Sequence, residues 1–225
     1  MAAFTAAPML CQKAHALQRP WARVRCRWRY RAQSKGCEQR SSAPVYVMVA
    51  TPEDLFTLLD RLGIAHRTVT HVPLFTVEQS RALRGSIPGA HTKNLFLKDK
   101  KGSLILLTAL EDAVIELKSL HRRLGRSGRF SFGSAELMRE TLGIEPGAVT
   151  PFAVINDRDC RVSIILDADL LRRETVNAHP LRNTMTTSLA ARDLLRFLEA
   201  TGHPPRIIEL AGANEEAQEA GSQHP

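Results

Sequence analysis

From Thr51 onward the apolar and polar positions follow a regular order. Leu55, Leu58, Leu59 and Leu62 recur at helical spacing and form one apolar stripe. Thr51 can cap this helix, Pro52 suits its first turn, Glu53 and Asp54 favour its positive end, and Gly63 stops it. Residues 64–72, IAHRTVTHV, read as extended. Thr76-Val77-Glu78-Gln79 has the spacing of a capping box and predicts a short helix to about Leu83. Residues 94–98 (NLFLK) and 103–108 (SLILLT) flank Asp99-Lys100-Lys101-Gly102 and predict a hairpin.

A helix is expected from about Lys118 to Leu124, ended by Gly125, and a short strand at 129–132. Ser134 caps a further helix, with Leu137, Met138 and Leu142 on its apolar side and Gly143 at its end. Residues 152–156 (FAVIN) and 161–167 (RVSIILD) flank a polar turn, Asp157 to Cys160, and predict a second hairpin. Leu170-Leu171 begins a helical turn, and residues 174–178 suit a strand. A last helix is expected from about Ser188 to Thr201, with Leu194, Leu195 and Leu198 facing inward. Gly202 and Pro204-Pro205 prevent its continuation, and residues 206–210 read as a final strand. No regular βαβ repeat appears, and no GxGxxG follows a first strand. The pattern predicts one α+β domain over residues 48–211, with a mixed, mostly antiparallel sheet and peripheral helices.

Composition changes this picture only at the ends. The chain has 225 residues, enough for one domain with a substantial core plus tails. The net charge of +8 suggests a polyanion partner until its distribution is considered. Residues 1–50 hold nine of the 31 basic residues and one acid, Glu38, so the remaining 22 bases and 22 acids cancel. A nucleic acid would therefore meet a local patch, not a uniformly basic surface. Cys11, Cys26 and Cys37 lie in the same leader and only Cys160 in the body, which excludes a disulfide framework within the domain. Residues 1–47 interleave six arginines, Arg19 to Arg31, with Trp21, Trp28 and Tyr30. Several readings stand: a nucleic-acid contact, a mitochondrial presequence in an otherwise cytoplasmic protein, a disordered extension, or a start assigned too early with Met48 as the true start. The stretch lacks the aliphatic residues to build a core. Residues 212–225 are small, polar and acidic, and are expected to be a disordered tail. No run of 18 or more apolar residues indicates a membrane span.

No HExxH, GxSxG or Walker sequence is present, and the histidines are not at ligand spacing, so neither a metal nor another cofactor is implied. Three polar segments carry the candidate chemistry. Gly85 to Asn94 ends at a probable central strand, where the Lys93 ammonium could bind a phosphate or the carbonyl side of an ester. A surface lysine among turn glycines is the competing reading. Gly143 to Pro151 holds two glycines and two prolines. Its backbone N–H groups could meet an oxyanion or a ribose, or the loop could be a rigid connector. Asn177 to Thr184 gathers donors and acceptors that ordinary loop hydrogen bonding would also explain.

Together these segments resemble the YbaK/prolyl-tRNA-synthetase-associated editing family, and within it the free-standing prolyl-tRNA editing proteins that deacylate alanyl-tRNA(Pro). The resemblance rests on His71-Val72-Pro73, TVEQS from Thr76, GSIPGAHTKNLFLKDKKG, LLTALEDAVIELKSL, RRLGRSGRFSFGSAELM, LGIEPGAVTPFAVINDRD, LDADLL and NAHPLRNTMTTSL, over roughly residues 51–210. It implies hydrolysis of the ester of mischarged tRNA(Pro), with Lys93, Asn94 and Gly147 as the catalytic group. It also implies an amino-acid pocket at His71, Thr92, Pro151 and His179, and an acceptor-end contact at Lys93 and Arg129. Water would be the nucleophile, and no metal or cofactor is implied. Implied partners are the tRNA and, transiently, prolyl-tRNA synthetase or an elongation factor. Deacylation of cysteinyl-tRNA(Pro) and a non-catalytic tRNA-binding module are the alternatives.

Overall fold

The structure, a computed structural model, describes residues 49–72, 87–126 and 128–210. The arginine-rich leader, the short helix at 76–83 and the acidic tail expected from sequence lie outside these residues.

Helix α1 (Pro52–Arg61) starts on a complete capping box, with the Thr51 hydroxyl accepting from the Asp54 N–H and the Asp54 carboxylate accepting from the Thr51 N–H. Strand β1 (His66–Thr70) follows, then β2 (Ala90–Lys98) and β3 (Leu104–Leu110). The hairpin turn between β2 and β3 is closed by Asp99, whose Oδ1 accepts from the N–H groups of Lys101 and Ser103, each at 2.8 Å. Helix α2 (Leu117–Arg123), strand β4 (Ser131–Phe132) and helix α3 (Ala135–Leu142) come next. A 3-10 helix (Pro151–Asn156) leads to β5 (Val162–Asp167), α4 (Ala168–Leu171), β6 (Thr175–Ala178), β7 (Met185–Ala190), α5 (Ala191–Ala200) and β8 (Arg206–Ile208).

The strands form one sheet in the order β1-β7-β6-β2-β3-β5-β8, with β4 also paired to β2. Four pairings are antiparallel (β1·β7, β2·β3, β2·β4, β6·β7) and three are parallel (β2·β6, β3·β5, β5·β8). The α+β expectation holds, and the sheet is mixed rather than mostly antiparallel. Side-chain alternation along the strands divides the core in two. Phe96, Leu104, Leu106, Ile164 and Leu166 pack on one face with α1, α3, α5 and the 3-10 helix. Leu95, Leu97, Ile105, Leu107, Ala109 and Ile165 pack on the other, against Leu120 and Leu124 of the α2 region. An edge-on contact between Phe152 and Phe197, at 5.3 Å between ring centres, anchors the larger core.

Two expected elements differ. Residues 151–156 form the 3-10 helix, not the first strand of a second hairpin. An apolar run of this length suits either geometry, and here the Thr150 hydroxyl caps the Phe152 N–H while Pro151 presets the first turn. Residues 185–190 form β7, so the last helix begins at Ala191 and not at Ser188. Its N-cap, Ala190, has no side-chain cap, and the β-branched Thr186 and Thr187 suit the pleated strand before it.

A buried polar pair fastens the far end of the domain. Asp157 accepts from the N–H groups of Arg161 (3.0 Å) and Val162 (2.7 Å), and its Oδ2 also lies 3.1 Å from His203 Nε2. Both side chains are almost fully buried. This joins the turn before β5 to the segment that follows α5.

Candidate active site

Strand β2 changes partners along its length. On one edge it runs beside β6 only at Ala90 and His91, and beside β4 only at Leu97 and Lys98. Between them, Thr92 to Leu95 is left by both strands on that edge, the Phe96 carbonyl accepting from the Gly133 N–H just past β4, while β3 pairs continuously along the other from Thr92 to Lys98. Such a divergence of strands opens a crevice where loops can bring groups to a rigid strand. Lys93 and Asn94 stand in this interval.

Alternation sends these two neighbours to opposite faces. Lys93 sits across from Ala109 on the face of the smaller core, and its Nζ donates to the Ala113 carbonyl. An ammonium has three N–H donors, so two remain for a ligand. Asn94 faces the larger core. Its Nδ2 donates to the Val149 carbonyl at 2.9 Å, and its Oδ1 accepts from the Thr108 hydroxyl at 2.8 Å. Asn94 thus ties the loop at 143–151 to β2, one residue from Lys93. That geometry makes it a positioning residue.

The face that carries Lys93 is polar across three further strands. His71 follows β1, with its N–H bonded to the Thr184 carbonyl. Its Nδ1 lies 2.9 Å from the Val72 carbonyl and must donate there, so in the neutral ring Nε2 accepts from the Thr186 hydroxyl at 3.0 Å. By the same reasoning His179 Nδ1 donates to the Met185 carbonyl at 2.8 Å, and Nε2 carries the lone pair. The two rings lie 6.4 Å apart. Burial pushes the His179 imidazole below its ordinary pKa, and the nearby His71 and His91 push the same way, against the opposing bond to Met185. His179 is therefore neutral at physiological pH, with a basic nitrogen available.

Other expected positions take different places. Thr92 spends its hydroxyl on the Asn177 carbonyl, at 2.9 Å, and so holds β2 to β6. Pro151 is buried and opens the 3-10 helix. Arg129 is exposed beside β4, which meets β2 at Lys98; that point lies five positions along the strand from Lys93, about 17 Å. It stands apart from Lys93 along the strand. Gly147 occupies the left-handed region at φ 91°. A Cβ built there would meet only Asn183 Nδ2, at 3.9 Å, so the glycine answers to backbone conformation and not to crowding. Gly147→Ala is accordingly expected to cost about 1–2 kcal/mol of folding stability in urea denaturation. An unchanged midpoint would show that the loop can relax to negative φ.

Sequence reasoning placed Asn177 in the polar segment 177–184 but gave it no role of its own. It is buried in β6, accepts from the Ser188 hydroxyl at 2.6 Å, and donates to the Pro88 carbonyl at 3.2 Å beside His91. The available signal was a poor strand former in mid-strand, which implies a hydrogen-bonding duty.

Two cavities adjoin these elements. The larger, about 840 Å³, is lined by residues 88–91, 110–112 and 173–175, with Glu111, Asp112 and Glu174 against Arg173 alone. Its charge disfavours a polyanion. The smaller, about 330 Å³, lies between the loop at 143–148 and the turn at 181–184, directly after His179. Among the described residues, no cluster of three or more His, Cys, Asp or Glu is placed to hold a metal ion, and no helix is long and apolar enough to cross a membrane.

The family model of the aminoacyl-tRNA editing domain matches residues 71–197, which span these loops and strands. The prolyl-tRNA synthetase associated domain-containing protein 1 of Bos taurus is 40% identical over 156 residues, covering 68% of this chain and 91% of the relative. The prolyl-tRNA editing protein ProX of Acetoanaerobium sticklandii is 35% identical over 153 residues, covering 68% and 93%. A solved structure provisionally assigned as a trans-editing enzyme for prolyl tRNA synthetase superposes with a TM-score of 0.56 at 20% identity, over 74% of this chain and 100% of that one, a likeness of fold.

Proposed function

The chain belongs to the aminoacyl-tRNA editing domain family, and from that premise we propose that it hydrolyses the aminoacyl ester of mischarged tRNA(Pro), foremost alanyl-tRNA(Pro). The observation that carries the reading is Lys93, fixed on β2 where its flanking strands part. The loop at 143–151 is tied to the adjacent Asn94, and His179 stands on the same polar side of the sheet as Lys93. Residues 48–211 form the editing unit.

In this reading the two remaining Lys93 donors meet the ester carbonyl, where negative charge develops as water attacks. The tetrahedral intermediate then expels the ribose oxygen, which takes a proton, and the free amino acid and tRNA leave. The neutral His179 Nε2 can accept a hydrogen bond from the attacking water or from the ribose hydroxyl beside the ester. All of these groups belong to the protein or to the substrate.

Selection against proline rests on exclusion. Attraction alone separates side chains by about 1–3 kcal/mol per methylene, whereas a ring that clashes with a rigid wall is rejected more sharply. Partners follow from the substrate: mischarged tRNA(Pro), and transient contact with prolyl-tRNA synthetase or an elongation factor that handles the same tRNA.

Purified alanyl-tRNA(Pro) should be deacylated with multiple turnovers, while prolyl-tRNA(Pro) survives under the same conditions. Preference for cysteinyl-tRNA(Pro) would reassign the amino acid. Equal cleavage of alanyl and prolyl esters would defeat the specificity, and tight tRNA binding without turnover would make the chain a binding module.

A further inference from the structure

We propose that the cavity between the loop at 143–148 and the turn at 181–184 binds a phosphodiester of the strand that carries the ester, with Arg182 as its charged partner. The proposal rests on the deacylase reading above and adds a residue to it.

Charge is the first support. Glu145 and Arg182 are the two ionisable residues in the cavity wall. Glu145 is already spent: its oxygens lie 2.8 and 2.9 Å from Arg139 Nε, and Arg139 Nη2 adds a contact at 2.8 Å. Neither the Arg182 guanidinium nor the Asn183 carboxamide has a hydrogen bond or ion pair among the described residues. The wall therefore presents one uncompensated cation and a neighbouring neutral donor. A guanidinium matches two oxygens of a phosphate with parallel N–H groups.

Backbone geometry is the second. Leu181 is held at φ 66° although it is neither glycine nor asparagine, and its side chain is only 7% exposed. Its N–H returns to the His179 carbonyl at 2.9 Å, closing a tight turn around Pro180. This conformation buries Leu181 and leaves Arg182 exposed at the rim. Left-handed non-glycine residues are rare and concentrate where the chain clamps a ligand.

Reach is the third. Arg182 follows His179 by three residues, which span at most about 10 Å. An ester held near Lys93 and His179 on a terminal ribose would place the phosphate of the same nucleotide within that range. The larger cavity lacks this match, because its wall is acidic.

The test compares the full chain with Arg182→Gln, using cytidylyl-(3′→5′)-adenosine and plain adenosine as probes in NMR titrations. The parent should bind the dinucleotide more tightly than adenosine. Arg182→Gln should weaken dinucleotide binding about tenfold, leave adenosine binding unchanged, and lower the slope of log affinity against log salt for tRNA by about 0.7–1. In deacylation, the loss should fall on half-saturation, not on the saturated rate. Arg182→Lys should recover the salt slope and only part of the affinity, since a point charge lacks the fork. Thermal melts of both variants should match the parent, because the side chain is exposed. Equal dinucleotide affinity in parent and Arg182→Gln, with an unchanged salt slope, would overturn the proposal while leaving deacylation intact. Loss of dinucleotide binding in the variant of a parent that deacylates nothing would overturn the enzymatic reading and leave the anion site standing.

Discussion

Lys93→Ala is expected to reduce the saturated single-turnover rate of deacylation ten- to a hundredfold while leaving thermal melting near that of the parent. The side chain is half-buried, and its one hydrogen bond among the described residues is to the Ala113 carbonyl, so truncation leaves a single acceptor in want of a partner, within reach of solvent. The strand itself is held by its backbone, paired with β3 from Thr92 to Lys98. A charge-assisted contact made in the transition state contributes about 1.5–3 kcal/mol, which corresponds to the stated change in rate. Lys93→Arg should rescue poorly, because the planar fork is larger and directs its donors differently. If the lysine serves only to bind tRNA, the defect will vanish at saturating enzyme. If it is merely a surface charge, neither rate nor affinity will move.

The largest loss of stability is expected from Asp157→Ala, about 3–5 kcal/mol by urea denaturation at neutral pH. The substitution removes the acceptor for two backbone N–H groups and leaves His203 buried without its partner. The pH dependence has a definite sign. Burial pushes the Asp157 carboxyl up, but the bonds from His203, Arg161 and Val162 and the attraction of His203 outweigh it, so its folded pKa lies below the ordinary value. Its contribution is therefore complete above the unfolded carboxyl value, near 3.9, and is lost as pH falls through the lowered folded value. Denaturation across pH 2–5 should show a shallower acid limb in Asp157→Ala than in the parent. Identical slopes would mean that Asp157 does not hold its proton balance differently in the folded state.

Much of the architecture was legible because local signals agreed with the tertiary outcome. Thr51 and Asp54 announce α1, and Asp99 with Gly102 announces the β2–β3 turn; each structure is built from neighbours in the chain. The run FAVIN was not decisive, because four apolar residues carry no period; a proline and a threonine before them settled the geometry. At the site, Lys93 stood out by its setting. Its separation from Asn94 onto opposite faces follows from strand alternation alone, once β2 is known to continue through both. The meeting of His71 with His179 could not be read in this way. They are 108 residues apart, and only the placement of β7 between β1 and β6 brings them together. The parting of β6 and β4 along β2 is likewise a property of sheet order, which no local pattern encodes.

That parting of strands also divides the labour of evolutionary change. The lysine belongs to a strand paired with β3 from Thr92 to Lys98 and packed on both faces. The segments at 143–151 and 179–184 join regular elements and can vary in shape without altering a single strand register. On the proposed assignment, a lineage could exchange one rejected amino acid for another by drift in these two loops while Lys93 keeps its place in β2.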